Sequence, residues 1–137
     1  MIRPLVFTNG VFDVLHIGHI DYLQKARRLG ASLMVAINTD ESVAALGKGP
    51  GRPINPLEHR MAMLRQLRCV DHVIAFTAPT PLQAIKLHRP DILVKGGDYK
   101  HADIVGAAEV ESWGGMVVTL PFVHQVSSTK IIERMRA

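Results

Sequence analysis

Short apolar runs alternate with helical periodicities along the whole chain. Leu5-Val6-Phe7 predicts a first strand, and Ile20, Leu23, Ala26 and Leu29 then share one face of a helix that Gly30 stops. Leu33 to Ile37 is an unbroken apolar run, which predicts a second strand buried on both faces. Gly47 to Pro53 is too rich in Gly and Pro for regular structure and predicts a mobile loop. Asn55 with Glu58 three residues later predicts a capping box, with Pro56 at the first helical position and Leu57, Met61, Leu64 and Leu67 as the buried stripe. Val73 to Phe76 predicts a third strand. Thr80, Pro81 and Gln83 start another helix, which ends before Pro90. Asp91 to Val94 is a fourth strand, a short helix ends at Gly114-Gly115, and Met116 to Leu120 is a fifth strand. Ser127 or Ser128 caps a closing helix through Arg136.

Strand-helix alternation on this scale predicts an α/β domain with a doubly wound, five-stranded parallel sheet covered by helices on both faces. The 137 residues suit one domain, 1–137, and the balance of 47% hydrophobic and 20% charged residues argues against disorder. No apolar run approaches the length of a membrane span, and no secretory signal precedes the first strand. A single cysteine, Cys69, excludes an internal disulfide framework and a cysteine-rich zinc site. A cytoplasmic protein that spans no membrane is therefore expected. Sixteen basic residues against 12 acidic ones leave a modest positive excess, suited to an anionic ligand. The one tight basic cluster, Lys25, Arg27 and Arg28, reads as the solvated face of a helix. Aromatic residues are only 5%, few for a protein that stacks nucleic-acid bases, and no nucleic-acid partner is expected.

In doubly wound sheets, ligands sit beyond the carboxyl ends of the strands, near the topological switch point. Polar residues collect there: Thr8, Asn9, Gly10, Phe12 and Asp13 after the first strand, Asn38 after the second, and Gly97, Asp98 and Tyr99 after the fourth. His16 and His19 flank Gly18 where a helix begins, so both imidazoles should lie on one side beside backbone N–H groups and the positive dipole end. Gly18 would let a phosphate approach the backbone. At this chain's His and Gly frequencies, H-x-G-H should arise by chance roughly 0.03 times. Two histidines without a third protein ligand make a poor zinc site, and no resident metal site is expected. Lys48, in the Gly/Pro loop, could close over phosphates. Arg60 suits fork-like phosphate contacts, and Asp98 suits a ribose or metal contact. Ser127, Ser128 and Thr129 offer a second anion cradle at a helix start. His59, His72, His88, His101 and His124 have no supporting pattern and read as surface or packing residues.

These motifs resemble the cytidylyltransferase-like nucleotidyltransferases, a Rossmann-like superfamily that couples a phosphorylated alcohol to a nucleoside triphosphate. The matching pieces are Thr8 to Asp13 with His16-Ile17-Gly18-His19, Glu58-His59-Arg60, Cys69 to Ile74, and Ser127 to Lys130. Within it, Arg52 to Glu58 and Val94 to Lys100 look most like the adenylyltransferase branch of heptose nucleotide synthesis. The resemblance implies AMP transfer from ATP, with Mg²⁺ bound alongside it, to a heptose 1-phosphate, giving ADP-heptose and pyrophosphate. It implies catalytic roles for His16, His19 and Lys48. It implies nucleotide contacts from Thr8, Asn9, Gly10, Phe12, Gly18, Arg60, Gly97, Asp98 and Ser127 to Thr129. Asp13, Asn38, Lys95 and Tyr99 would meet the sugar phosphate. A separate sugar kinase and a homodimer or higher oligomer are the implied partners.

Some features depart from relatives of this type. Glycerol-phosphate cytidylyltransferases carry an arginine shortly before their closing Ser/Thr motif, whereas this chain has Phe122-Val123-His124-Gln125-Val126. A cytidylyltransferase for glycerol 3-phosphate is the second reading. A nucleotide- or RNA-binding module without catalysis is the third.

Overall fold

The computed structural model describes residues 1–122 and 126–136. Val123, His124 and Gln125, where the sequence lacks the arginine of the cytidylyltransferases, lie outside the described residues. The strands are β1 (Leu5–Gly10), β2 (Ser32–Asn38), β3 (His72–Phe76), β4 (Ile92–Gly96) and β5 (Met116–Leu120). The helices are α1 (Ile17–Arg27), α2 (Asp40–Ala45), α3 (Leu57–Arg65), α4 (Leu82–His88), α5 (Ala107–Ser112) and α6 (Ser128–Arg136). All strand pairings are parallel and the order is β3-β2-β1-β4-β5, the Rossmann-like winding in which the sheet grows one way from β1 and then the other.

Strand alternation sorts the apolar side chains into two layers. Val6, Leu33, Val35, Ile37 and Val94 pack under α1 and α3 against Leu23, Ala26 and Leu64. Leu5, Phe7, Met34, Ala36 and Leu93 pack on the opposite face against Ile85 of α4 and Val110 of α5. Every residue of β2 is buried, as its unbroken apolar run predicts. Gly30 does more than stop α1, because a Cβ there would sit 2.6 Å from the Pro4 carbonyl oxygen. No described helix is long and apolar enough to cross a membrane.

Four local expectations are corrected. Leu29 lies past the end of α1 and is exposed, while Tyr22 takes the inward position instead. The Asn55–Glu58 capping box does not form. Pro56 is the N-cap of α3 without a side-chain cap, because the Asn55 amide donates to the Asp13 carbonyl, 2.6 Å away. Pro81 likewise begins α4 without a cap from Thr80. The short helix α2, capped by the Thr39 hydroxyl on the Ser42 amide, escapes the periodicity reading because six residues show less than two turns of pattern.

The ladder between β1 and β4 has only two residue pairs, Val6 with Ile92 and Phe7 with Leu93. Beyond them, toward their carboxyl ends, the two strands no longer pair, and the switch point opens. Tyr22 of α1 bridges this opening. Its hydroxyl lies 2.6 Å from the Thr8 hydroxyl of β1 and donates to the Val94 carbonyl of β4 at 3.3 Å. Burial pushes the Tyr22 phenol up to about 12, despite the Thr8 hydrogen bond, so it stays protonated as a strut.

Candidate active site

A cavity of about 790 Å³ lies at that opening, large enough for a nucleotide. His16, His19 and Gly18 line it from the start of α1, and Asn9, Gly10, Phe12 and Asp13 from the end of β1. Lys95, Gly97, Asp98 and Tyr99 line it from β4, and Ser127, Ser128 and Thr129 from the start of α6. Lys48 reaches it from the Gly/Pro loop.

The two histidines cap their own helix. His16 is the N-cap of α1, and its Nδ1 accepts the Gly18 amide at 3.1 Å. His19 Nδ1 accepts the His16 amide at 3.2 Å. With Nδ1 an acceptor in both rings, each neutral imidazole carries its proton on Nε2. The rings stack with centroids 3.8 Å apart, and Phe12 supports His19 at 5.0 Å. Phe12 holds a left-handed backbone, φ 51°, and Gly10 makes room for its ring, since a Cβ there would lie 2.8 Å from Phe12 Cε2. The Gly18 amide expected to meet a phosphate is taken by His16. A Cβ on Gly18 would come within 2.9 Å of the His16 ring, so this glycine serves the histidine's placement.

Burial, with the neighbouring His16 charge, pulls His19 down to about 4, and burial lowers His16 as well. Both rings are therefore neutral near pH 7. As pH falls from about 6.5 toward 4, the unfolded chain takes up a proton on residue 19 that the folded protein refuses. Stability is thus lost across that window, by about 3 kcal/mol at most. His19→Asn removes the titrating ring and keeps an acceptor for the His16 amide. Urea midpoints of that variant should fall less between pH 7.5 and 4.5 than those of the parent protein. Equal falls would remove His19 as the titrating group.

Other residues named from the sequence divide by geometry. Ser127 Oγ accepts the Lys130 amide at 3.1 Å, which identifies it as the cap, whereas Ser128 Oγ donates to the Val14 carbonyl at 2.7 Å and ties α6 to the β1–α1 turn. Lys95 is half-buried with Nζ 5.1 Å from the Tyr99 ring centre, and burial lowers its ammonium. Asp98 makes no ion pair among the described residues. Asp13 is fully engaged: burial raises its carboxyl, but donation from the Asn55 and Ile54 amides and from Arg52 outweighs that and holds it low.

Three expected site residues do not line the cavity. Thr8 is completely buried under Tyr22. Asn38 is buried, with its amide donating to the Ser42 hydroxyl at 3.0 Å. Arg60 is 1% exposed, and its guanidinium donates to the carbonyls of Asn55, Val11 and Asn38 and to Asp40 at 2.7–3.1 Å. It is a brace between α3, β2 and the β1–α1 turn rather than a phosphate contact. Among the lining residues that the sequence reading did not choose are Arg52, Tyr22 and Phe122. The alternation in β4 and β5 gives no warning of Phe122. Its ring lies where a Gly96 side chain would be, 2.9 Å from an added Cβ.

The donors gathered here are imidazole N–H groups, lysines, an arginine and a helix N-terminus, a set suited to anions. Among the described residues, no three His, Cys, Asp or Glu side chains converge as metal ligands.

Comparison with known proteins places this geometry. The model of the cytidylyltransferase-like family matches residues 7–134. The chain is 52% identical over 134 residues to the D-beta-D-heptose 1-phosphate adenylyltransferase of Bordetella bronchiseptica, covering 98% of this chain and 83% of that protein. It is 54% identical over 132 residues to the bifunctional protein HldE of Alcanivorax borkumensis, covering 96% of this chain but only 28% of that longer protein. Among solved structures, the lipopolysaccharide core biosynthesis protein of Thermoplasma volcanium superposes with a TM-score of 0.71 at 28% identity, over 89% of this chain and 98% of that one.

Proposed function

The chain belongs to the cytidylyltransferase-like family, and from that premise we propose that it transfers AMP from ATP to D-glycero-β-D-manno-heptose 1-phosphate, releasing pyrophosphate and ADP-heptose for the core of lipopolysaccharide. The observation that carries the chemistry is the stacked pair of neutral histidines, each with Nε2–H to donate, in a cavity of cations and amides. The choice of a heptose phosphate as acceptor rests on the likeness to the Bordetella enzyme.

The reaction needs no nucleophilic side chain. A phosphate monoester is largely a dianion at neutral pH, since its second pKa is about 6, so the acceptor attacks the α-phosphorus without a general base. The protein must hold two polyanions in line and stabilise the charge that gathers on the equatorial and bridging oxygens. His16 and His19 donate Nε2–H to those oxygens. The α6 N-terminus and Lys48 hold the phosphates, and Asp98 contacts the ribose or the ion. Mg²⁺ enters on the triphosphate, as part of the substrate, and neutralises its charge. The acceptor, a sugar 1-phosphate, is the product of a sugar kinase reaction that precedes this one.

Pyrophosphate release with ATP or CTP, against heptose 1-phosphates of both anomers and glycerol 3-phosphate, tests this reading. The expected kcat/KM for ATP with the β-anomer exceeds every other pair by about tenfold or more. Faster turnover with CTP and glycerol 3-phosphate would replace it with the cytidylyltransferase reading. Nucleotide binding without pyrophosphate release from any pair would leave a binding module.

A further inference from the structure

Arg52 sits at the end of the Gly/Pro loop. Its side chain is only 4% exposed, and the Asp13 side chain it pairs with is 1% exposed. Arg52 Nε donates to Asp13 Oδ2 at 2.7 Å, and Nη1 donates to Thr129 Oγ1 at 3.2 Å. The loop root is therefore pinned to the β1–α1 turn and to the start of α6 at once. Asp13 shares its carboxylate among Arg52 and the amides of Ile54 and Asn55, so it orients the guanidinium without covering it.

Arg52 Nη2 has no hydrogen-bond partner among the described residues, yet no described side-chain nitrogen is both buried and unpartnered. Nη2 thus keeps a small solvent-facing area, and Arg52 is among the residues that line the cavity. A guanidinium presents parallel N–H donors that match two oxygens of a phosphate, and one already locked in place loses little freedom on binding. Lys48, four residues earlier on an exposed stretch where a side chain added at Gly47 or Gly49 would meet only open space, offers a movable charge. Arg52 offers a fixed one.

We propose that Arg52 is a phosphate-binding residue of this site, its free guanidinium edge held by Asp13 and Thr129 to grip the polyphosphate of the nucleotide. This rests on reading the cavity as a nucleotide site. It does not depend on the identity of the sugar or the base.

Inorganic tripolyphosphate, which has neither sugar nor base, is the probe. In the unaltered protein, arginine side-chain ¹⁵N–¹H resonances are followed during its titration, with calorimetry reporting binding independently. The Arg52 Nε–H signal should shift saturably with the calorimetric curve, while that of Arg60 stays in place. In Arg52→Lys, with folding checked by thermal melting, tripolyphosphate affinity should weaken by about tenfold or more. The KM for ATP should rise with it, and the KM for the sugar phosphate should hold. Absence of tripolyphosphate binding at millimolar concentration, an unmoved Arg52 signal under saturation, or an Arg52→Lys affinity within twofold of the parent would each overturn the proposal. If Arg52→Lys fails to fold, the resonance titration decides alone. Failure of the substrate panel to give ADP-heptose leaves this outcome independent, so the two readings can fall separately.

Discussion

Replacing either His16 or His19 by alanine should lower kcat by about 10²–10³-fold, the loss expected when one preorganised donor to a developing oxyanion is removed. The tautomer argument makes the prediction specific. Each Nδ1 is committed to a backbone amide, so Nε2–H is the donor left for substrate oxygens, and it is present in the neutral ring at pH 7. Alanine also deletes helix-capping acceptors, a change worth about 0.5–2 kcal/mol of stability. His16→Asn separates the two effects, because its shorter side chain can still cap the helix but cannot present a donor at the Nε2 position. Steady-state kinetics with melting temperatures should show His16→Asn near the parent in stability and near His16→Ala in kcat. ATP affinity should change less than turnover in all three variants. Near-parental turnover in well-folded alanine variants would exclude the pair from the chemistry.

What was legible in the sequence follows from what is local. The strand and helix alternation, the fully buried β2, the helix-start histidines and the Ser127 cap each depend on residues within a few positions of one another. The errors at Asn55 and Arg60 have a different origin. Asn55 looks like a cap, but Asp13, 42 positions away, claims its side chain. Arg52 and Arg60 both carry a charge near the same motif, and spacing cannot tell which of them faces the cavity. That choice is made by Asp13, which draws Arg52 inward from the loop, and by three carbonyls and Asp40, which absorb Arg60. The available hint was chemical: an aspartate placed just after β1 has no reason to be buried unless a cation comes to meet it.

Arg60→Leu should therefore destabilise the protein strongly and leave phosphate binding largely intact in the molecules that remain folded. The leucine keeps the apolar bulk, but it strips donors from the carbonyls of Val11, Asn38 and Asn55, and two of the four contacts of Arg60 are made by a single nitrogen, Nη1. Each orphaned buried acceptor costs about 1–3 kcal/mol, and breaking a buried charged network by removing one partner typically costs about 3–5 kcal/mol in all. Asp40 softens the loss, since half of its side chain faces water and can be hydrated. For a domain of this size, a 3–5 kcal/mol loss lowers the melting temperature by roughly 10–20 °C. Arg60→Lys, which keeps the charge but cannot fork to three elements, should fall between the two. Thermal melts paired with tripolyphosphate calorimetry at 10 °C read both quantities. The expected pattern is a large drop in melting temperature with an affinity near that of the parent. The opposite pattern, a parental melting temperature with weakened tripolyphosphate binding, would return Arg60 to the phosphate site and show that its carbonyl contacts yield when the nucleotide arrives.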